Sequence, residues 1–170
     1  MAETLSFQSV LDHLLDSKKD IPQSHLQLYS DLDPKSLRLF MDVWSSVKQE
    51  RKLLLLSELL KNLDTDNIVN YEDIGRALLT DADADVRAAA IGLLAESNDP
   101  RLASTLTSIL LTDEVLAPRM EAALLLGEFV LLAELDELDT DLKNKIEDAL
   151  ITVIRSEDNP ALRKRALESL

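Results

Sequence analysis

The sequence lacks cysteine entirely and has only three glycines and 4% aromatic residues among its 170 residues. Without cysteine, disulfides, zinc–thiolate sites and thiol nucleophiles are excluded. With so few aromatics, the core must be built from Leu, Ala, Ile and Val. That composition, with few turn glycines and few β-branched runs, favours helices over sheets. We therefore expect an all-α protein.

Signals for export, membrane insertion and phosphate binding are also missing. The N-terminus MAETLSFQSV has no basic segment followed by an apolar one, and acidic or polar residues interrupt every long apolar stretch. These absences predict a cytoplasmic protein with no membrane partner. Gly75, Gly92 and Gly127 each lie inside a predicted helix, so no glycine loop is present to hold a phosphate. No cofactor is predicted.

Negative charge dominates, with a formal net charge of −14. Residues 81–170 carry 19 of the 32 acidic residues but only 9 of the 18 basic ones. Because an acidic surface repels phosphate, general nucleic-acid binding is disfavoured. Two interpretations stay open: the acids keep a leucine-rich chain in solution, or they attract a basic protein or peptide. The most acidic stretch, 128–141, is either a solvated loop or a site for a basic peptide or a cation.

Apolar residues recur at helical spacing along the chain, and turn signals separate the predicted helices. Asp33-Pro34, Pro118 and Asn159-Pro160 are signals for helix starts. The helix that Pro118 begins is apolar nearly all round, which predicts that other helices surround it. Three large side chains near residue 40 are predicted to lie in the core: Phe40, Met41 and Trp44.

One pattern occurs three times: an arginine, an alanine three residues later, and mostly apolar residues one turn further on. It is V-R-x-x-A-x-x-L-L from residue 86, P-R-x-x-A-x-x-L-L from residue 118, and L-R-x-x-A-x-x-S-L from residue 162. The extra length between the second and third copies lies around the acidic loop 134–141. The spacing indicates one packing unit used three times.

These segments resemble HEAT repeats, particularly the subgroup named after phycobilisome-lyase-like proteins. The resemblance lies in the acid-rich turn before V-R-x-x-A-x-x-L-L and in N-D-P-R-L at 98–102. The stretch LYSDLDPKSLRLFMDVW also resembles the N-terminal part of uncharacterised bacterial HEAT-repeat proteins. The resemblance implies a right-handed α-solenoid of helix pairs over 48–170, the last repeat incomplete, after an N-terminal helical cap over 1–47.

The resemblance also implies roles for individual residues. Arg87, Arg119 and Arg163 occupy equivalent positions, where HEAT repeats place arginines that bond acids or carbonyls of neighbouring turns; ligand recognition is the alternative. The second helix of each pair usually lines the concave side. Helical geometry then gives five predicted partner-binding residues: Arg76, Ser104, Ser108, Lys145 and Asp148.

The segment DADAD, residues 81–85, begins as a calcium-binding loop does. Such a loop needs glycine at position six and a bidentate glutamate at position twelve, where this chain has Val86 and Gly92. Asp83 and Asp85 are instead expected in the first turn of a helix, where acids accept bonds from free N–H groups. No metal site is predicted.

The two histidines, His13 and His25, belong to no catalytic pattern. The sequence therefore favours a non-enzymatic scaffold for protein–protein interaction, although a fold does not fix a function. Two alternatives stay open. The name of the resembling subgroup suggests a bilin-lyase-like enzyme or chaperone subunit. Other HEAT-like proteins grip DNA, but a nucleic-acid repair module would need a basic concave stripe.

The last predicted helix has the repeat pattern but no partner helix after it. Terminal repeats normally present a polar outer face, whereas this helix is expected to leave four apolar residues partly uncovered: Leu162, Ala166, Leu167 and Leu170. The sequence therefore predicts either the front part of a longer solenoid or an end that pairs with another chain, self-association included.

Overall fold

The structure, a computed structural model, describes residues 5–135, 137–156 and 159–170. These residues form ten α-helices, one short 3-10 helix at Gln27–Tyr29 and no strand, which confirms the predicted all-α class. The α-helices are α1 Phe7–Leu15, α2 Gln23–Leu26, α3 Pro34–Trp44, α4 Gln49–Leu63, α5 Glu72–Leu78, α6 Ala84–Gly92, α7 Arg101–Thr112, α8 Leu116–Glu134, α9 Thr140–Arg155 and α10 Pro160–Glu168. None of the helices in the described ranges combines the length and apolar character that crossing a membrane requires.

The helices form two compact units, residues 1–94 and residues 95–170. In the first unit α1 packs on α3, α3 on α5, α2 on α4, and both α4 and α5 pack on α6. In the second unit α7 packs on α8 and α9, α8 packs on α9 and α10, and α9 packs on α10. The predicted division at residue 47 follows a sequence pattern and stays a prediction.

Side-chain caps explain where several helices begin. Asp33 Oδ1 accepts the backbone N–H of Lys35 at 2.8 Å, and Asn159 Oδ1 accepts that of Ala161 at 2.8 Å. Both starts were predicted from the sequence and are confirmed. The predicted start at Pro118 is wrong by two residues, because α8 begins at Leu116. Proline is tolerated there, since the first N–H groups of a helix have no acceptor within it.

The alanine of each repeated pattern is completely buried, at positions 90, 122 and 166. Small residues at these positions let helix backbones approach each other. The prediction that Leu162 and Ala166 are partly uncovered is wrong, because α10 packs on both α8 and α9 and buries them fully. Leu167 and Leu170 are exposed, as predicted. Phe40 and Trp44 lie in the core, also as predicted.

Helix α8 differs from its prediction. Its sequence is apolar nearly all round, but Leu124, Leu131 and Leu135 are 44%, 54% and 60% exposed. Its packing on α7, α9 and α10 therefore leaves one side uncovered among the described residues. An evenly apolar helix carries no sequence signal for which side its neighbours cover.

Gly75 marks the closest backbone approach in the first unit. A Cβ atom at this position would lie 2.9 Å from the carbonyl oxygen of Ala90 in α6 and 2.9 Å from Leu94 Cδ2. At Gly92 the nearest atom would be Leu60 Cδ2, at 3.0 Å. A leucine methyl group can rotate away, whereas a helical carbonyl cannot move without moving its helix.

We therefore expect Gly75→Ala to destabilise the protein by about 1–3 kcal/mol, since overpacking outweighs the gain in helix propensity. Gly92→Ala is the matched control. It is expected to be neutral or to stabilise by up to about 1 kcal/mol through helix propensity. Urea unfolding of both variants measures the difference. Equal effects of the two substitutions would contradict the close approach of α5 to α6.

Candidate functional site

Asp81, the first acid of the DADAD segment, bonds to residues of other helices. Its Oδ2 accepts the indole N–H of Trp44 at 2.7 Å and lies 3.5 Å from Lys52 Nζ. Burial raises the pKa of Asp81, but the bonds from the Asp83 N–H, Trp44 and Lys52 outweigh it and hold the pKa below the ordinary value. The ionised carboxylate thus ties α3 and α4 to the turn before α6.

The other two acids of that segment act as predicted. Asp83 is the N-cap of α6, and its side chain accepts the backbone N–H groups of Asp85 at 2.9 Å and Val86 at 3.2 Å. Asp85 lies in the first turn, where its charge complements the helix dipole. Within the described ranges no three His, Asp or Glu side chains are grouped closely enough to hold a metal ion.

The two histidines lie close together, which the sequence did not predict. The ring centroids of His13 on α1 and His25 on α2 are 4.7 Å apart in an edge-to-face arrangement. His13 Nε2 lies at hydrogen-bond distance, 2.8 Å, from the carbonyl oxygen of Asp20. Burial, and secondly the neighbouring His13, lower the pKa of His25, so its neutral form is favoured. The pair joins α1 to α2.

A buried arginine, Arg51 of α4, holds the C-terminal end of α1. The residue is only 4% exposed. It donates from Nε to the carbonyl of Leu14 and from Nη2 to that of His13, both at 3.3 Å, and from Nη1 to the carbonyl of Lys19. The last carbonyls of an α-helix have no donor within it, and Arg51 supplies one.

The three repeat arginines also donate to backbone carbonyls. Arg119 Nε donates to Leu110 at 2.8 Å, and Arg163 Nε donates to Ile154 at 3.0 Å. Each acceptor lies nine residues before its arginine, in the last turn of the preceding helix. Arg87 Nη1 donates to the carbonyl of Asp81 at 2.8 Å. The HEAT resemblance implies bonds of this kind.

The candidate site is a groove of about 520 Å³ between α7 and α9, which we call the α7–α9 groove. Helix α7 contributes Ala103, Ser104, Thr107 and Leu111 to it. Helix α9 contributes Leu142, Lys145, Asp148, Ala149 and Thr152. The groove combines an aliphatic surface with hydroxyl groups and one charge of each sign, a mixture that suits a polypeptide ligand.

Three of the five predicted partner-binding residues meet in this groove: Ser104, Lys145 and Asp148. Ser108 is exposed on α7 but is not among the lining residues. Arg76 belongs to α5 of the first unit, where its Nε donates to Glu72 Oε1 at 2.8 Å. The structure therefore brings three predicted residues together and leaves two elsewhere.

Sequence analysis missed Thr107, Leu111, Leu142 and Thr152, although helical spacing could have found them. Positions 104, 107 and 111 share one face of α7, and positions 142, 145, 149 and 152 share one face of α9. Lys145 and Asp148 are both exposed, and neither has an ion-pair partner in the part of the chain that the structure describes. Both charges are free to meet a ligand.

Comparison with protein-family models, with curated proteins and with solved structures finds no match to this chain. The HEAT resemblance therefore rests on the repeated sequence pattern and stays a prediction.

Proposed function

We propose that this protein is a non-enzymatic interaction scaffold, a right-handed α-solenoid of HEAT-like helix pairs, whose α7–α9 groove binds a peptide segment of another protein. We place it in the cytoplasm, as the sequence predicts. The observation that carries the proposal is the convergence of Ser104, Lys145 and Asp148 on one groove. These residues were chosen from the sequence as one surface, and they come from two separate helices.

The packing of the second unit supports the repeat part of the proposal. Each of its helices packs on the next helix and, where a second one follows, on that one as well. Stacked helix pairs produce this order of contacts, because every helix touches its pair partner and its counterpart in the neighbouring pair. The fully buried alanines and the matching bonds of Arg119 and Arg163 give two copies of the pattern the same local structure.

The chemistry of the α7–α9 groove supports a peptide as its ligand. Leu111 is 41% exposed at the groove, so it offers apolar surface that a bound side chain can cover. Lys145 and Asp148 can pair with an acid and a base of the ligand and so set its direction. Charged pairs at a rim contribute more to specificity and association rate than to affinity.

Exchange of the two groove charges tests the proposal. The double variant Lys145→Asp, Asp148→Lys reverses the polarity of the groove but keeps the net charge. Peptides selected from a displayed random library on the wild-type protein are expected to lose about tenfold or more in affinity for this variant, which is about 1.4 kcal/mol or more.

The matched control exchanges another pair three residues apart, Glu58→Lys with Lys61→Glu on α4 of the first unit, where the wild-type ion pair measures 2.7 Å. The selected peptides should bind this control as they bind the wild type. Peptides that bind the groove variant with unchanged affinity would contradict a site between α7 and α9. A library that yields no binder would contradict the scaffold proposal itself.

A further inference from the structure

Helix α8 carries a row of uncovered leucines. Leu124, Leu131 and Leu135 are exposed and, with Glu128, follow one another at spacings of four, three and four residues. Residues at these spacings lie on one face of a helix. A single exposed leucine is common in proteins, but three on one helix face form an apolar patch of the kind found at interaction sites.

Part of this row lines a second groove, of about 280 Å³, between α8 and the end of α10, which we call the α8–α10 groove. Its apolar lining includes Leu124, Leu131 and Leu170. The floor is tight, because a Cβ atom at Gly127 would lie 3.1 Å from the backbone Cα of Ser169. Two segments in backbone contact thus form the base, and exposed leucines line the groove.

Every charged residue that lines this groove is acidic: Glu128, Glu134 and Glu168. Glu128 has no ion-pair partner among the residues that the structure describes. Glu134 pairs with Lys143, and Glu168 lies 3.5 Å from Lys164 Nζ. These pairs are solvent-exposed, so they contribute little and can exchange for pairs with a ligand.

The surrounding sequence strengthens this asymmetry of charge. Residues 120–142 contain seven acidic residues and no lysine or arginine. A basic ligand is therefore attracted to the α8–α10 groove. A second copy of the chain would bring the same acids against this surface and would be repelled.

We propose that the α8–α10 groove binds a basic amphipathic helix of another protein. The apolar face of that helix covers Leu124, Leu131 and Leu170, and its lysines or arginines lie beside Glu128 and Glu134. This is the helix-in-groove mode, in which apolar anchors at positions i, i+3 or i+4, and i+7 fill the groove. The surface shares no lining residue with the α7–α9 groove, so the two proposals can fail independently.

A designed helix of leucine and lysine, with all leucines on one face, is the probe for this groove. Two comparison peptides isolate its features: one has the same composition in an order without an apolar face, and one has every lysine replaced by glutamate. Fluorescence anisotropy should give a micromolar Kd for the amphipathic basic helix and at least about tenfold weaker binding of both comparison peptides. Equal binding of the reordered peptide would overturn the proposal, because charge alone would then explain the affinity.

Variants of the chain locate the bound probe. Leu131→Ser and Glu128→Lys are each expected to weaken binding by about tenfold. The controls Leu54→Ser and Glu58→Lys change an exposed leucine and an acid of α4 and should leave the affinity unchanged. No binding to wild type at about 100 µM peptide, or equal binding by the groove variants, would overturn the proposal.

Two further measurements separate the alternatives. The Lys145→Asp, Asp148→Lys variant should bind the probe as the wild type does; a loss there would place the probe in the α7–α9 groove and overturn the assignment. Sedimentation of the protein without peptide should give no association that Leu131→Ser abolishes. Such association would make a second copy the occupant of the α8–α10 groove and would also overturn the proposal.

Discussion

Arg51→Met is expected to lower the free energy of unfolding by about 3 kcal/mol, a larger effect than any other single polar substitution in the first unit. Arg51 is buried and donates to the carbonyls of His13, Leu14 and Lys19. Methionine fills much of the same space but donates nothing, so carbonyls at the end of α1 lose their donor. A hydrogen bond from a charged group contributes about 1.5–3 kcal/mol, and an unsatisfied buried acceptor costs about 1–3 kcal/mol.

Trp44 provides the measurement. It is the only tryptophan, and it is buried in the first unit, so its fluorescence during urea unfolding reports on that unit. Arg51→Lys should recover little stability, because a single ammonium group cannot reach three carbonyls as a guanidinium does. Arg38→Met on the exposed surface of α3 is the control and should change stability by less than about 0.5 kcal/mol. An Arg51→Met variant with the wild-type urea midpoint would contradict the role of Arg51.

The local features of this fold were predictable from the sequence. The caps at Asp33, Asp83 and Asn159 bond to N–H groups two or three residues away, so residue type and position suffice to predict them. The repeated alanines were also predictable, because their spacing from neighbouring apolar residues places them on the buried face.

The tertiary bonds were not predictable. Arg51 bonds to carbonyls that lie 32 to 38 residues earlier in the chain, and Trp44 bonds to Asp81, which lies 37 residues later. No local pattern encodes such partners. A charged residue in the stretch ERKLLLL gives no sign that its own side chain is buried.

The candidate site was predictable in part. Helical spacing places Ser104, Lys145 and Asp148 on faces that meet in the α7–α9 groove. Spacing within α7 does not determine how α9 packs on it, and this packing decides that Thr107 and Leu111 line the groove while Ser108 does not. The same limit explains the error at Leu162 and Ala166, which α8 and α9 bury.

Helix α8 gives the second large prediction, since its sequence LLLGEFVLLAE does not distinguish its buried side from its exposed side. Phe129 is fully buried, whereas Leu131, two residues later, is 54% exposed. Phe129→Ala should therefore destabilise the protein by about 3–5 kcal/mol, through lost burial and the cavity left behind. Leu131→Ala should cost less than about 1 kcal/mol.

Far-UV circular dichroism during heating measures both variants, and Trp44 fluorescence shows whether the first unit keeps its own transition. Similar losses for the two substitutions would contradict the observed placement of α8. The expected contrast also bears on the α8–α10 groove, because a Leu131→Ala variant as stable as the wild type means that the fold does not need this leucine. An exposed leucine row that stability does not require is then explained by a binding partner, and the affinity of the basic helix for the same variant measures that contribution directly.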